Sequence, residues 1–151
     1  MKVLVVYDSV YGNTETIAKA IGGALAGDIQ VRRASETVPS DLNSVDLLVV
    51  GSPTQAGRPI APVQDFLKTL PNLAEGVDVA AFDTRSSAKF AAVFGYAAKR
   101  IANALKEHGG RLVAPPEGFF VDGKTGPLKD GETQRAAEWA TAISAGRAPG
   151  K

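Results

Sequence analysis

Residues 8–14 read Asp-Ser-Val-Tyr-Gly-Asn-Thr, and apart from Val10 and Tyr11 each is small or can hydrogen-bond. An apolar run, Val3 to Tyr7, precedes this turn, and a helical stripe of Ile17, Ala18, Ile21, Ala24 and Leu25 follows it. The first turn of a helix exposes unpaired N–H groups and a partial positive charge. Gly12 lets the backbone turn closely there, Ser9 and Thr14 add hydroxyls, and Asn13 adds an amide. The chemistry these residues suit is capture of a terminal phosphate by a nest of N–H groups without a lysine. A Walker A loop needs G-x-x-x-x-G-K and a dinucleotide fingerprint needs G-x-G-x-x-G; the turn has neither. Simple capping of the helix by Ser9 and Thr14 accounts for the same hydroxyls without a ligand.

Two further loops carry chemistry-capable groups. Gly51 to Pro59, GSPTQAGRP, follows a strand and precedes a helix, and at Ala56-Gly57 the peptide can turn over at low steric cost. Asp83 to Gly95, DTRSSAKFAAVFG, offers Asp83, Thr84 and Arg85 with Phe90 and Phe94, either of which also serves as a core contact of the next helix. His108, at a helix end, complements the helix dipole, and Trp139 is spaced with Ala136 and Ile143 as a core residue. Asp8 suggests a phosphoacceptor, but that chemistry needs an Asp at the end of the third strand, where Gly51-Ser52 stands.

Elements in alternation must hold these loops. Strands are expected at Val3–Tyr7, Ile29–Arg33, Val45–Val50, Val77–Phe82 and within 111–121, the last interrupted by Pro115-Pro116. Helices are expected over 14–26, 61–70, within 88–107 and over 132–143. Such alternation implies a three-layer, doubly wound α/β fold with a five-stranded parallel sheet. Ligands of such sheets lie beyond the carboxyl ends of the strands, so the first, third and fourth strand ends should form one rim. A single domain over 1–146 with a frayed tail at 147–151 is expected from the length of 151 residues.

Composition narrows the function. The net charge of +1 and the lack of any Lys/Arg run longer than two argue against nucleic acid. The lack of cysteine removes disulfides, thiolate catalysis, Cys-type zinc sites and iron–sulfur clusters, and a single histidine leaves little for a metal site or a Ser-His-Asp triad. No signal peptide or membrane-length apolar run is evident, so a cytoplasmic, membrane-free protein is expected.

The three loops in this order resemble the flavodoxin family, over nearly the whole chain, from VYDSVYGNTETIA to GFFVDGKTGPLKDGETQRAAEWA. The family's first loop reads roughly T/S-x-T/S-G-x-T, matched here by Ser9, Gly12 and Thr14, with Tyr11 replacing a small hydroxyl residue. No segment of about twenty residues splits the fifth strand, so the chain resembles the short-chain type. The resemblance implies FMN as cofactor. Its phosphate would lie on Ser9, Val10, Tyr11, Gly12, Asn13 and Thr14, and its ring between Ser52, Pro53, Thr54, Gln55, Ala56 and Gly57 on one side and Asp83, Thr84, Arg85 and Phe90 on the other. It further implies a monomeric, non-catalytic electron carrier. Such a carrier shuttles between a reductase and an acceptor through semiquinone and hydroquinone states, and rotation of the Ala56-Gly57 peptide would stabilise the first. An NAD(P)H-dependent FMN or quinone reductase on the same scaffold is the alternative.

The chain departs from the family pattern in two ways. Familiar members are acidic around the ring, whereas this chain is near neutral, with Arg58 and Arg85 in the ring loops. A cation near the ring would make the second reduction potential less negative. Gln55 stands where many relatives carry a large aromatic, leaving Tyr11 and Phe90 to stack.

Overall fold

A computed structural model of the chain describes residues 1–86 and 96–146, so the expected frayed tail and the two aromatics Phe90 and Phe94 lie outside the described residues. The elements run β1 (Lys2–Tyr7), α1 (Asn13–Ala24), β2 (Asp28–Arg33), β3 (Leu47–Gln55), β4 (Arg58–Pro59), α2 (Ala61–Thr69), β5 (Asp78–Ser86), α3 (Ala97–Glu107), β6 (Arg111–Leu112), β7 (Glu117–Val121) and α4 (Glu132–Gly146). Two 3-10 turns, Ala34–Glu36 and Pro39–Leu42, lie between β2 and β3. The strand order is β2-β1-β3-β5, and β6 and β7 both pair in parallel with β5. The Pro115-Pro116 interruption thus divides one strand position into two segments, because proline gives the ladder no N–H.

Continuous apolar strands follow from burial on both faces. Leu4 and Val6 of β1 face the layer of α2 and α3, with Val63, Phe66, Leu67, Ile101 and Leu105. Val3, Val5 and Tyr7 face the other way, against Ile17, Ala18 and Ile21 of α1 and Ala136, Trp139 and Ile143 of α4. In this second core Phe82, Phe119 and Trp139 meet edge to face, with ring centroids 6.1–6.2 Å apart. The core reading of Trp139 is therefore correct.

Three boundaries differ from the expectation. β3 does not stop at Val50: Gly51, Ser52 and Pro53 continue the ladder opposite Phe82, Asp83 and Thr84. Gly51 is required there by packing, since a Cβ would sit 2.0 Å from Phe82 Cζ. β3 then folds back through Ala56-Gly57 onto β4, an antiparallel hairpin that the all-parallel expectation lacks. Both turn residues have positive φ, 49° and 78°, as a two-residue hairpin loop of matching twist demands. β5 likewise runs on through Ser86. Tyr96, inside the range 88–107 in which a helix is expected, is the extended residue just before α3.

Candidate functional site

The strand ends converge as the doubly wound topology requires. A cleft of ≈ 390 Å³ opens beyond β1, β3 and β5, lined by Ser9, Val10, Tyr11, Asn13 and Thr14, by Pro53 to Ala56, and by Thr84 to Ser86. Val121, Gly123 and Lys124, from the segment after β7, complete the wall.

The first loop is shaped from beneath. Asp8, 6% exposed, accepts through Oδ1 from the Ser9 N–H at 3.2 Å and from Arg33 at 3.0 Å, and through Oδ2 from the Ser35 N–H at 3.1 Å. Ser9 Oγ accepts from the Gly12 N–H at 3.0 Å, which closes the turn. Gly12 does not itself line the cleft; it is the N-cap residue of α1, with φ 91°, a conformation that glycine adopts without strain. Among the described residues no side chain caps α1, so the capping role considered for Ser9 and Thr14 is not the one they play. Glu15 in that first turn is turned to Tyr7, Lys19 and Arg33. The Tyr7 hydroxyl it accepts from, with Lys19 next, holds its carboxyl below the usual value.

The contrast with α3 is direct. Its first two N–H groups, of Ala97 and Ala98, are capped from neighbouring strands by Thr54 Oγ1 at 3.0 Å and Asp83 Oδ2 at 2.9 Å. Asp83 is fully buried and also holds Arg85 through two bonds of 2.7 and 2.8 Å. It lies beneath the site rather than along the cleft. Ser52 is fully buried as well, accepting from the Ile60 N–H at 2.9 Å and donating to the Pro53 carbonyl. Gly57 stands outside the cleft at the hairpin turn, its carbonyl accepting from Arg100 Nε at 3.0 Å. Arg85 does line the cleft, its guanidinium 3.5 Å from the Tyr96 ring centroid. Arg58 points to a separate cavity behind the hairpin. Phe90 falls outside the described residues.

Two buried hydroxyls join the walls: Thr14 Oγ1 and Thr84 Oγ1 lie 2.7 Å apart. Asn13 Nδ2 donates to the Thr125 carbonyl at 3.0 Å, tying α1 to the fourth wall. Among the described residues the site therefore offers open helix N–H groups, hydroxyls, an apolar slot and two cations, Arg85 and Lys124, with no carboxylate along the lining. Such a cleft suits an elongated ligand with an anionic end and a flat body.

The flavodoxin family profile matches residues 5–139. A flavodoxin of Haemophilus influenzae is 31% identical over 134 residues, covering 83% of this chain and 75% of that protein. An NAD(P)H dehydrogenase (quinone) of Acidovorax ebreus is 35% identical over 89 residues, which is 44% of this chain and 44% of that protein. Oxidised Flavodoxin 2 from Bacillus cereus superposes with a TM-score of 0.80 at 23% identity, covering 96% of this chain and 99% of that one, a likeness of fold.

Proposed function

The chain belongs to the flavodoxin family, and on that premise we propose that it passes single electrons between a reductase and an acceptor protein, as a cytoplasmic monomer. Proteins of this family bind FMN and transfer electrons to redox partner proteins. The residues present fit that cofactor: an uncapped helix N-terminus for a dianion, hydroxyls for a polyol chain, and an apolar slot for a ring. When bound, FMN supplies the capacity to take up and release electrons one at a time.

The observation that carries the reading is the uncapped start of α1 beside a cleft formed by the strand ends. The N–H groups of the first turn, with Ser9, Asn13 and Thr14, would hold the phosphate. Pro53 to Ala56 and Thr84 to Ser86 would hold the ring, and the Ala56 carbonyl would accept from a ring nitrogen that gains a proton. Arg85, its charge shared with Asp83, and Lys124, exposed and without an ion pair among the described residues, would favour added negative charge on the ring. The lower-potential couple should accordingly be less negative than in relatives whose ring is surrounded by carboxylates. Potentiometric titration checks this, and a Lys124→Gln variant should move that couple downward.

The test of the phosphate site is a fluorescence titration of the apoprotein with FMN and riboflavin in parallel. FMN should bind at least about a hundredfold more tightly, a difference of about 2.7 kcal/mol; equal affinities would remove the phosphate site and the reading built on it. The partial likeness to a quinone dehydrogenase supports a second reading, NAD(P)H-dependent FMN or quinone reduction. Steady NADPH consumption with a quinone by the pure protein would favour it over carriage.

A further inference from the structure

Resting on the carrier reading, we propose that the hairpin Thr54–Pro59 is the centre of a cationic docking face that receives an acidic face of a redox partner protein. The hairpin separates two cavities. On one side Thr54, Gln55 and Ala56 line the main cleft, which includes Arg85 and Lys124. On the other lies a cavity of ≈ 240 Å³ lined by Arg58, Pro59, Gln64, Leu67, Lys68 and Arg100. Among the described residues four cations without an ion pair, Arg58, Lys68, Arg100 and Lys124, thus flank one turn, Arg85 being paired with Asp83, and no carboxylate lines either cavity. Arg58, Lys68, Arg100 and Lys124 are exposed, and none of them is in an ion pair among the described residues. The nearest acidic groups along the chain are Asp65, on the helix that carries Lys68, and Asp122, which pairs with Lys129 at 3.4 Å.

The imbalance is local, because the whole chain carries a net charge of only +1. Four carboxylates are paired away from this face, Asp8 with Arg33, Asp78 with Arg111, and Glu117 and Glu132 with Arg135. Arg100 is also held in place, since its Nε donates to the Gly57 carbonyl of the hairpin turn. Beside the charges stand two exposed apolar side chains, Val10 and Tyr11, 51% and 58% exposed at the cleft lip. An apolar and aromatic centre rimmed by like charge is the anatomy of an interface that steers its partner electrostatically. A partner with carboxylates around its own redox centre complements it; a basic one is repelled.

The test is calorimetric titration of the FMN-loaded protein with two haem proteins of opposite charge, acidic cytochrome b5 and basic cytochrome c. At about 0.01 M ionic strength, where charges act over about 30 Å, cytochrome b5 should bind at least about tenfold more tightly than cytochrome c. Its affinity should fall steeply by about 0.15 M, where the range is about 8 Å. The double variant Arg58→Gln, Lys68→Gln, outside the main cleft, should weaken cytochrome b5 several-fold and leave the FMN dissociation constant unchanged. A control, Lys2→Gln with Lys106→Gln, removes two charges at the start of β1 and the end of α3 and should leave binding unaltered. Tighter binding of cytochrome c, salt-independent binding, or equal loss in both double variants would overturn the proposal. Failure of the parent protein to bind FMN would instead sink the carrier reading, and the same titration remains readable on the apoprotein.

Discussion

Thr14 and Thr84 show how one side chain serves fold and site together. They stand 70 residues apart in the sequence: one opens α1, the other sits near the end of β5, and their oxygens meet at 2.7 Å with both residues at most 4% exposed. One hydroxyl donates and the other accepts, so a single hydroxyl hydrogen is left to face the cleft. Thr84→Val keeps the shape and removes one partner, leaving the Thr14 hydroxyl buried without it. Stability should fall by about 1–3 kcal/mol, read by urea denaturation of the apoprotein. FMN affinity should fall as well, because Thr14 would be re-aimed in the first turn that is assigned to the phosphate. A variant as stable as the parent would show that the pair contributes no net hydrogen-bond energy.

At the scale of elements, the junction of β7 with α4 makes a pH-dependent contribution. Glu132 Oε2 accepts from the Phe120 N–H at 2.7 Å, and both its oxygens accept from Arg135, at 2.9 and 2.7 Å. Arg135 also donates to the Gly118 carbonyl, so helix and strand are bound at two points. The Arg135 bond, with the Phe120 N–H assisting, holds the Glu132 carboxyl below its ordinary value of 4.5. A depressed folded value means that the stabilisation is complete above 4.5 and is lost as pH falls through the lower folded value. Glu132→Gln should therefore lower stability near neutral pH by about 1–3 kcal/mol and flatten its decline below pH 4.5, as followed by thermal melts across pH. Alternation of apolar strands with helical stripes made the layers and strand positions legible, because burial on both faces leaves continuous apolar runs. The strand ends were not legible. Gly51-Ser52-Pro53 has the composition of a turn, yet Gly51 stands there because the Phe82 ring crosses it and Ser52 because its hydroxyl accepts from Ile60. Three walls of the site announced themselves as polar turns after apolar runs. The fourth, Val121 to Lys124, has ordinary turn composition, and its tie to the first loop, Asn13 to Thr125, spans 112 residues. The roles of Asp83 and Thr54 as caps of α3 were hidden for the same reason: a cap supplied by another strand leaves no local pattern.

For the molecule as a whole, the question is whether the rim is held by the core behind it. β5 passes from one to the other within three residues: Phe82 is in the aromatic core, Asp83 anchors Arg85 and α3, and Thr84 lines the cleft. Trp139 closes that core from α4, 8% exposed, edge to face with both Phe82 and Phe119. Trp139→Ala removes a large ring from between two others and should cost about 3–5 kcal/mol, a large part of the about 5–15 kcal/mol that holds a domain together. Circular dichroism during urea unfolding measures it, since the substitution removes the chain's one tryptophan. FMN binds the native state, so it should raise the stability of parent and variant by the same amount if the rim keeps its geometry. A ligand-induced gain that shrinks in the variant by more than about 0.5 kcal/mol would mean that the loss of Trp139 is transmitted along β5 to Thr84. Equal gains would mean that Asp83, with its bonds to Arg85 and to the start of α3, isolates the cleft from the packing beneath it.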